Sequence, residues 1–202
     1  MKRLGLLISA YSRAQASFAV PAPLILLGGF PGEWEGEHPL DTIQRLGARD
    51  VFLAGWHDHD ELPDIFAASD VVVLPSVREQ FGQVLVEGMA CGLPAIAVAA
   101  HGPSEIVADG QTGWLVPPDD EEALAAALVM AVNDAPERRS AAYAAVRALR
   151  VAHRGSAAGR HLRSAARSVS HHLTESSPAG VPCTPAAHGE VDFPFLSGNG
   201  LL

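Results

Sequence analysis

Two carboxylates, Glu79 and Glu87, flank a glycine in residues 70–94, DVVVLPSVREQFGQVLVEGMACGLP. Gly82 lets the backbone come close to a ligand, and the helical stretch it opens has free N–H groups that favour an anion. Carboxylates beside a bare phosphate would repel it. They suit a ligand that joins the anion to hydroxyls, because one carboxylate accepts two hydroxyl hydrogen bonds at once, as a sugar or a ribose offers. On spacing alone, a solvated loop glutamate at 79 and a surface helix glutamate at 87 also account for the pattern.

The elements around these residues follow from apolar periodicity. Val71–Val73 run through Leu74 into Pro75-Ser76, which reads as a short buried strand ending in a turn. Val84, Leu85, Met89 and Ala90 recur at helical spacing, and Gly92 and Pro94 end the helix. Further strands are expected at 24–27, 51–54, 95–99 and 114–116. Further helices are expected at 4–16, 40–46, 60–68, 104–107, 119–133 and from Pro136 to about Arg150. Asp60 is the expected N-cap of the 60–68 helix. Alternating strands and helices imply an α/β fold, a parallel sheet covered on both faces. In such folds ligands sit beyond the carboxyl ends of the strands. Gly28-Gly29, the loop 79–82 and His101-Gly102 then share one rim.

The 202 residues carry 14 basic and 23 acidic side chains, a formal charge of −9. That balance argues against a nucleic-acid binder, which needs a positive footprint. Cys91 and Cys183 do not make a disulfide framework, so a reducing cytoplasm is the default compartment. No apolar run approaches the roughly 20 residues needed to span a bilayer. Up to Pro136 the chain has 6 basic and 19 acidic residues, and beyond it 8 and 4. Five of the nine histidines lie beyond Arg150. The chain therefore divides into a folded domain, 1–149, and an irregular or disordered tail, 150–202.

The EQFGQVLVEGMACGLP segment, with seven residues between Glu79 and Glu87, resembles the signature of family 4 retaining glycosyltransferases. LPDIFAASD and SDVVVLPS ahead of it and HGPSEIVADGQTGWLVPPDD after it fit the same family, in the same order. The resemblance runs from about Lys2 to Arg147 and implies the C-terminal, Rossmann-like donor-binding half of a GT-B fold. It implies transfer of a sugar from a nucleotide-diphosphate donor to an unknown acceptor (glycan, lipid or small molecule), with retained configuration and no metal or other cofactor. Glu79 would bind donor-sugar hydroxyls and Glu87 the ribose hydroxyls. Backbone amides around Phe81, Gly82, Gln83 and Val84 would face the sugar and diphosphate, with His101 and Gly102 alongside. Lys2 matches a family lysine that neutralises the leaving diphosphate; the glycine that follows it in the family is Arg3 here. Such an enzyme is expected in the cytoplasm or peripheral to the inner face of the membrane.

The family also has an N-terminal domain that binds the acceptor, and a first strand central to the sheet, both expected to be missing. Without that strand, the strands at Leu24 and Val51 lose their link to those at Val71 and Ala95. The chain alone is then expected to fold poorly and to be inactive. After its last helix the family continues with a segment like Arg-Tyr-(Ser/Gly)-Trp. One codon choice for residues 148–156, read one base later, spells Arg-Tyr-Gly-Trp, so a frameshift near Arg147 is expected; a genuine basic, disordered tail is the rival. A non-catalytic nucleotide-sugar-binding fragment or pseudogene product and a GT-B sugar-nucleotide epimerase are the alternative functions.

Other residues carry weaker signals. His57-Asp58-His59-Asp60 reads as a solvated loop, since consecutive residues rarely converge on one ion. Cys91, Trp56 and Trp114 read as packing residues, and Glu105 as support for its short helix.

Overall fold

The computed structural model describes residues 2–29 and 36–155. In chain order they form α1 (Leu4–Ala14), a 3-10 turn (Gln15–Ser17), β1 (Leu24–Leu27), α2 (Pro39–Leu46), β2 (Val51–Gly55), α3 (Leu62–Ala67) and β3 (Val72–Leu74). Then come α4 (Gln83–Ala90), β4 (Ala95–Val98), α5 (Pro103–Ile106), β5 (Gly113–Val116), α6 (Glu121–Asn133) and α7 (Ala135–Gly155). The helix expected to stop near Arg150 continues to Gly155, past the expected start of the tail. The remainder of that tail, Cys183, and Phe30 to Gly32 of the glycine-rich turn lie outside the described residues.

All strand pairs are parallel, but the strands form two sheets, β1–β2 and β3–β4–β5. The break falls between β1 and β3. β4 shows why its sequence is apolar at every position. Ile96 and Val98 face a core built from α1, β1, β5 and α6, while Ala95 and Ala97 face a second core with α4 and α7. Burial on both faces leaves no polar side to the strand. In the first core, Leu7, Ile8 and Tyr11 of α1 meet Leu24 and Leu26 of β1, so one helix packs across both sheets. The Tyr11 hydroxyl donates to the Ala22 carbonyl at 3.0 Å and ties α1 to the approach of β1. Burial, then the Asp50 charge, raises its pKa.

One close approach fixes the second core. A Cβ at Gly88 would lie 2.9 Å from Val72 Cγ1, so α4 lies directly on β3. Leu85 and Met89 are fully buried there, each contributing about 1.5–3 kcal/mol relative to exposure. Cys91 belongs to this core and Trp114 to the first, both as packing residues. Trp56 differs from the expectation. It follows the end of β2 and is 53% exposed, because the strand stops at Gly55 and carries the ring beyond the layer that would cover it. Asp60 also differs: α3 starts one turn position later, after Glu61, whose side chain instead accepts from the Asp58 amide at 3.0 Å.

Candidate functional site

Gly82 is buried, with φ 85° and ψ 51°, and is the N-cap of α4. That left-handed conformation favours glycine. It turns the chain so that α4 starts at the carboxyl end of β3. The Gly82 carbonyl accepts from the Leu85 amide at 3.0 Å and the Val86 amide at 3.4 Å. The Gly82 amide, expected to face a ligand, instead donates to Glu79 Oε1 at 3.2 Å. The amides of Gln83 and Val84 make no hydrogen bond among the described residues, so they are the helix-terminal donors left for an anion. Glu79 is half-buried and folded back over this turn.

Glu87 is not a surface residue. It is 5% exposed, on the helix turn after Gln83. Gln83 Nε2 donates to Glu87 Oε1 at 2.9 Å, and His59 Nε2 lies 3.7 Å from the same oxygen. Burying a carboxylate requires such partners. Its Oε2 makes no hydrogen bond among the described residues and remains an acceptor. His59, from the loop after β2, is a neighbour that sequence reading left in a solvated run. The contact joins residues 28 positions apart on different elements, so local spacing carried no sign of it.

The β4–α5 turn closes against the same loop. The Gly102 amide donates to the Glu79 carbonyl at 3.2 Å. A Cβ on Gly102 would lie 2.5 Å from Phe81 Cα and 2.6 Å from the Gln80 carbonyl carbon, and closer still to the Gln80 oxygen. Gly102 has φ −52°, so its missing side chain serves proximity, not torsion. His101 beside it is exposed and left-handed, φ 49°. Glu79, Phe81, Gly82, His101 and Gly102 are thus brought together, with Gln83, Val84 and Glu87 one helix turn away.

Lys2 is exposed and makes no hydrogen bond or ion pair among the described residues. It leads into Arg3, the N-cap of α1, which adopts φ 49° and ψ 37°. Arg3 Nη2 donates to Asp119 Oδ2 at 3.0 Å, and Nε lies 2.8 Å from Oδ1, off the line of a hydrogen bond. This pair ties the start of α1 to the loop after β5. Among the described residues no group of three or more His, Cys, Asp or Glu side chains converges as metal ligands would. None of the described helices is long and apolar enough to cross a membrane.

The family of glycosyl transferases group 1 matches residues 1–147. The D-inositol 3-phosphate glycosyltransferase of Stackebrandtia nassauensis is 38% identical over 146 residues, 68% of this chain and 32% of the relative. The 2-deoxystreptamine N-acetyl-D-glucosaminyltransferase of Streptomyces fradiae is 35% identical over 111 residues, 54% of this chain and 26% of the relative. The chain therefore spans about a third or less of these relatives' length. Among solved structures, Anabaena HepE in complex with UDP-glucose superposes with a TM-score of 0.65 at 28% identity, over 86% of this chain and 45% of that one. The C-terminal domain of a group 1 glycosyl transferase from Francisella tularensis gives 0.66 at 24% identity, over 74% of this chain and 78% of that one, and shows the shared fold.

Proposed function

The chain belongs to the family of glycosyl transferases group 1, and from that premise we propose that it is the donor-binding half of a family 4, retaining GT-B enzyme. The observation that carries this reading is the buried Glu87, held by Gln83 and open at Oε2, one turn from two free helix-terminal amides. A nucleotide-diphosphate sugar presents ribose hydroxyls, a diphosphate and sugar hydroxyls in that order. Glu87 accepts the ribose hydroxyls. The Gln83 and Val84 amides receive the diphosphate at the positive end of α4. Glu79, folded over the Gly82 turn, accepts sugar hydroxyls. The UDP-glucose bound in Anabaena HepE makes a UDP-sugar the first donor to test.

In the transfer, the bond between the anomeric carbon and the diphosphate oxygen breaks, the acceptor's oxygen takes its place on the same face of the sugar, and the acceptor's hydroxyl proton passes to the departing diphosphate. Negative charge grows on the leaving diphosphate. Fixed donors aimed at it lower the barrier more than flexible ones, since they need no reorganisation. The α4 amides are such donors, and Lys2 is the cation assigned to the same task. No metal is assigned to this step.

A second reading is a nucleotide-sugar-binding fragment without turnover. It is favoured by Lys2, which no contact holds near Glu79 or Glu87 among the described residues. Calorimetry with UDP-glucose, UDP-N-acetylglucosamine, GDP-mannose and ADP-glucose, together with a donor-hydrolysis assay, separates the readings. Binding with slow hydrolysis supports the enzyme half. Binding with no hydrolysis supports the fragment. Absence of binding to every donor by the folded chain refutes both.

A further inference from the structure

Glu87 keeps one oxygen against the protein and leaves the other open, and its own helix does not decide which. Gln83 Nε2 donates to Oε1 at 2.9 Å, but Gln83 is an exposed residue at the start of α4. The terminal torsion of a glutamate is broad and nearly two-fold, so a single hydrogen bond follows either oxygen as the carboxylate turns. A second contact, from a different element, fixes the choice. His59 makes it. Its Nε2 lies 3.7 Å from the same Oε1, within ion-pair distance and beyond that of a hydrogen bond.

The turn that carries His59 is built to hold it. β2 ends at Gly55, in the left-handed region at φ 76°. The Glu61 amide then donates to the Asp58 carbonyl at 3.0 Å. In return the Glu61 carboxylate accepts from the Asp58 amide at 3.0 Å and lies 3.2 Å from His57 Nδ1. Residues 57–61 thus close on themselves, with His59 between the two ends. α3 follows at once and packs on α4, with Phe66 in the same core as Leu85, Val86 and Met89. The turn is therefore rooted on the helix that carries Glu87, and not only on β2. Asp58 and Asp60 adjoin His59 in sequence and are exposed, yet neither pairs with it among the described residues. Nε2 is turned instead to Glu87, the one buried carboxylate among the described residues. A buried charge is less screened, so it draws a nearby N–H more strongly.

We propose that His59 is a positioning residue for Glu87: it holds Oε1, so that Oε2 stays turned to the ribose hydroxyls of a nucleotide sugar. The inference deepens the donor reading and rests on it. The His59 side chain is 47% exposed, so removing it opens no cavity in the core, and its effect passes through the carboxylate it faces.

The test is calorimetry on the full 202-residue chain, with whichever of UDP-glucose, UDP-N-acetylglucosamine, GDP-mannose and ADP-glucose binds best. The variants are His59→Ala, His59→Gln, Glu87→Gln and the double variant His59→Ala with Glu87→Gln. The contact lies between an exposed pair and a hydrogen bond to a charged group, so His59→Ala is expected to weaken binding about three- to tenfold with Tm unchanged. Glutamine carries an N–H donor at a similar reach, so His59→Gln is expected to bind within about twofold of the parent. In the Glu87→Gln background His59→Ala is expected to add nothing, the mark of one residue acting through another. In the free chain, nitrogen NMR of the imidazoles is expected to show Glu87→Gln moving the His59 resonances and leaving those of His57, held by Glu61, in place. The proposal is overturned if His59→Ala binds as the parent does, if its loss persists in the Glu87→Gln background, or if glutamine at 59 is no better than alanine. It is equally overturned if Glu87→Gln leaves the His59 resonances unmoved. A folded parent chain that binds none of the four nucleotide sugars refutes the donor reading itself, and the role of His59 falls with it.

Discussion

Gly102→Ala tests how the two loops of the site are coupled. Alanine is at ease at φ −52°, so no torsional strain enters and the perturbation is one methyl group. That methyl would sit 2.5 Å from Phe81 Cα and 2.6 Å from the Gln80 carbonyl carbon. Carbon atoms in contact settle at about 3.5–4.0 Å, so the two backbones must separate by roughly 1 Å. The 101–103 turn is anchored by Pro103, which is fully buried, and by β4. The loop 79–82 is the part free to retreat. It takes with it the Gly102–Glu79 hydrogen bond, the Glu79 carboxylate and the first amides of α4. Overpacking of this kind costs about 1–3 kcal/mol, or a fall in Tm of roughly 2–12 °C for a domain of this size. A misplacement of about 1 Å at catalytic groups costs on the order of 100-fold in rate. The assay pairs a thermal melt with calorimetry of the best-bound nucleotide sugar. Gly113→Ala is the control, since its Cβ would meet the Ala95 backbone at the opposite end of β4 from the rim. The expected outcome is a loss of stability in both variants and at least tenfold weaker donor binding in Gly102→Ala alone. If folded Gly102→Ala binds the donor within about twofold of the parent, the two loops are not coupled through this contact and the reasoning fails.

Other outcomes follow from the same geometry. Glu87→Gln keeps the volume but removes a charged acceptor; hydrogen bonds to charged groups are worth about 1.5–3 kcal/mol, so donor affinity should fall roughly 10- to 150-fold, with Tm nearly unchanged. Ribose-free glucose 1-phosphate should lose nothing in the same calorimetric comparison. Arg3→Gly removes left-handed strain of about 1–2 kcal/mol together with an exposed ion pair worth about 0–1 kcal/mol; chemical denaturation should show a neutral or slightly stabilised protein, and Arg3→Ala a destabilised one. Glu37 is held at about 2 by hydrogen bonds from Arg45 and then Thr42. A carboxyl depressed in the folded state stabilises above its unfolded value and loses that contribution as pH falls toward 2. In Arg45→Ala, a carbon-detected NMR titration should find the Glu37 carboxyl moved back toward 4.5, the ordinary value from which it is shifted.

The strands were readable because each is a short apolar run closed by a turn residue: Leu24–Leu27 and Val51–Gly55 lie within a residue of expectation. The start of α4 was readable for a related reason, since Gly82 is the one residue there that takes a positive φ without strain. What escaped depends on contacts between distant residues. Glu87 sits on a helix that is apolar on nearly every side, so its carboxylate is mostly buried, yet only the fold brings His59 and Gln83 to it. The pinch of Gly102 on the 80–81 backbone links two loops some twenty residues apart and leaves no periodic trace. Asp60 had the right chemistry for a cap, but helix α3 begins after Glu61, whose carboxylate is engaged by the Asp58 amide and His57.

The two sheets divide the site unequally. Glu79, the Gly82 turn, Glu87 and Gly102 all rest on β3 and β4, which are paired with each other and buried by the second core. That group needs nothing from β1 to hold its geometry. Lys2 precedes α1 and Gly28-Gly29 follow β1, outside that paired group. The Arg3–Asp119 pair and the packing of α1 on α6 span the gap and keep the start of α1 beside the β5 loop. An exposed pair of this kind contributes little energy, so it fixes direction more than it fixes position. The proposed donor binding should therefore depend little on β1, because its acceptors and amides lie on β3 and β4, which pair with each other. The role proposed for Lys2 should depend on how α1 is held, because a cation must be placed before the charge develops for it to lower the barrier.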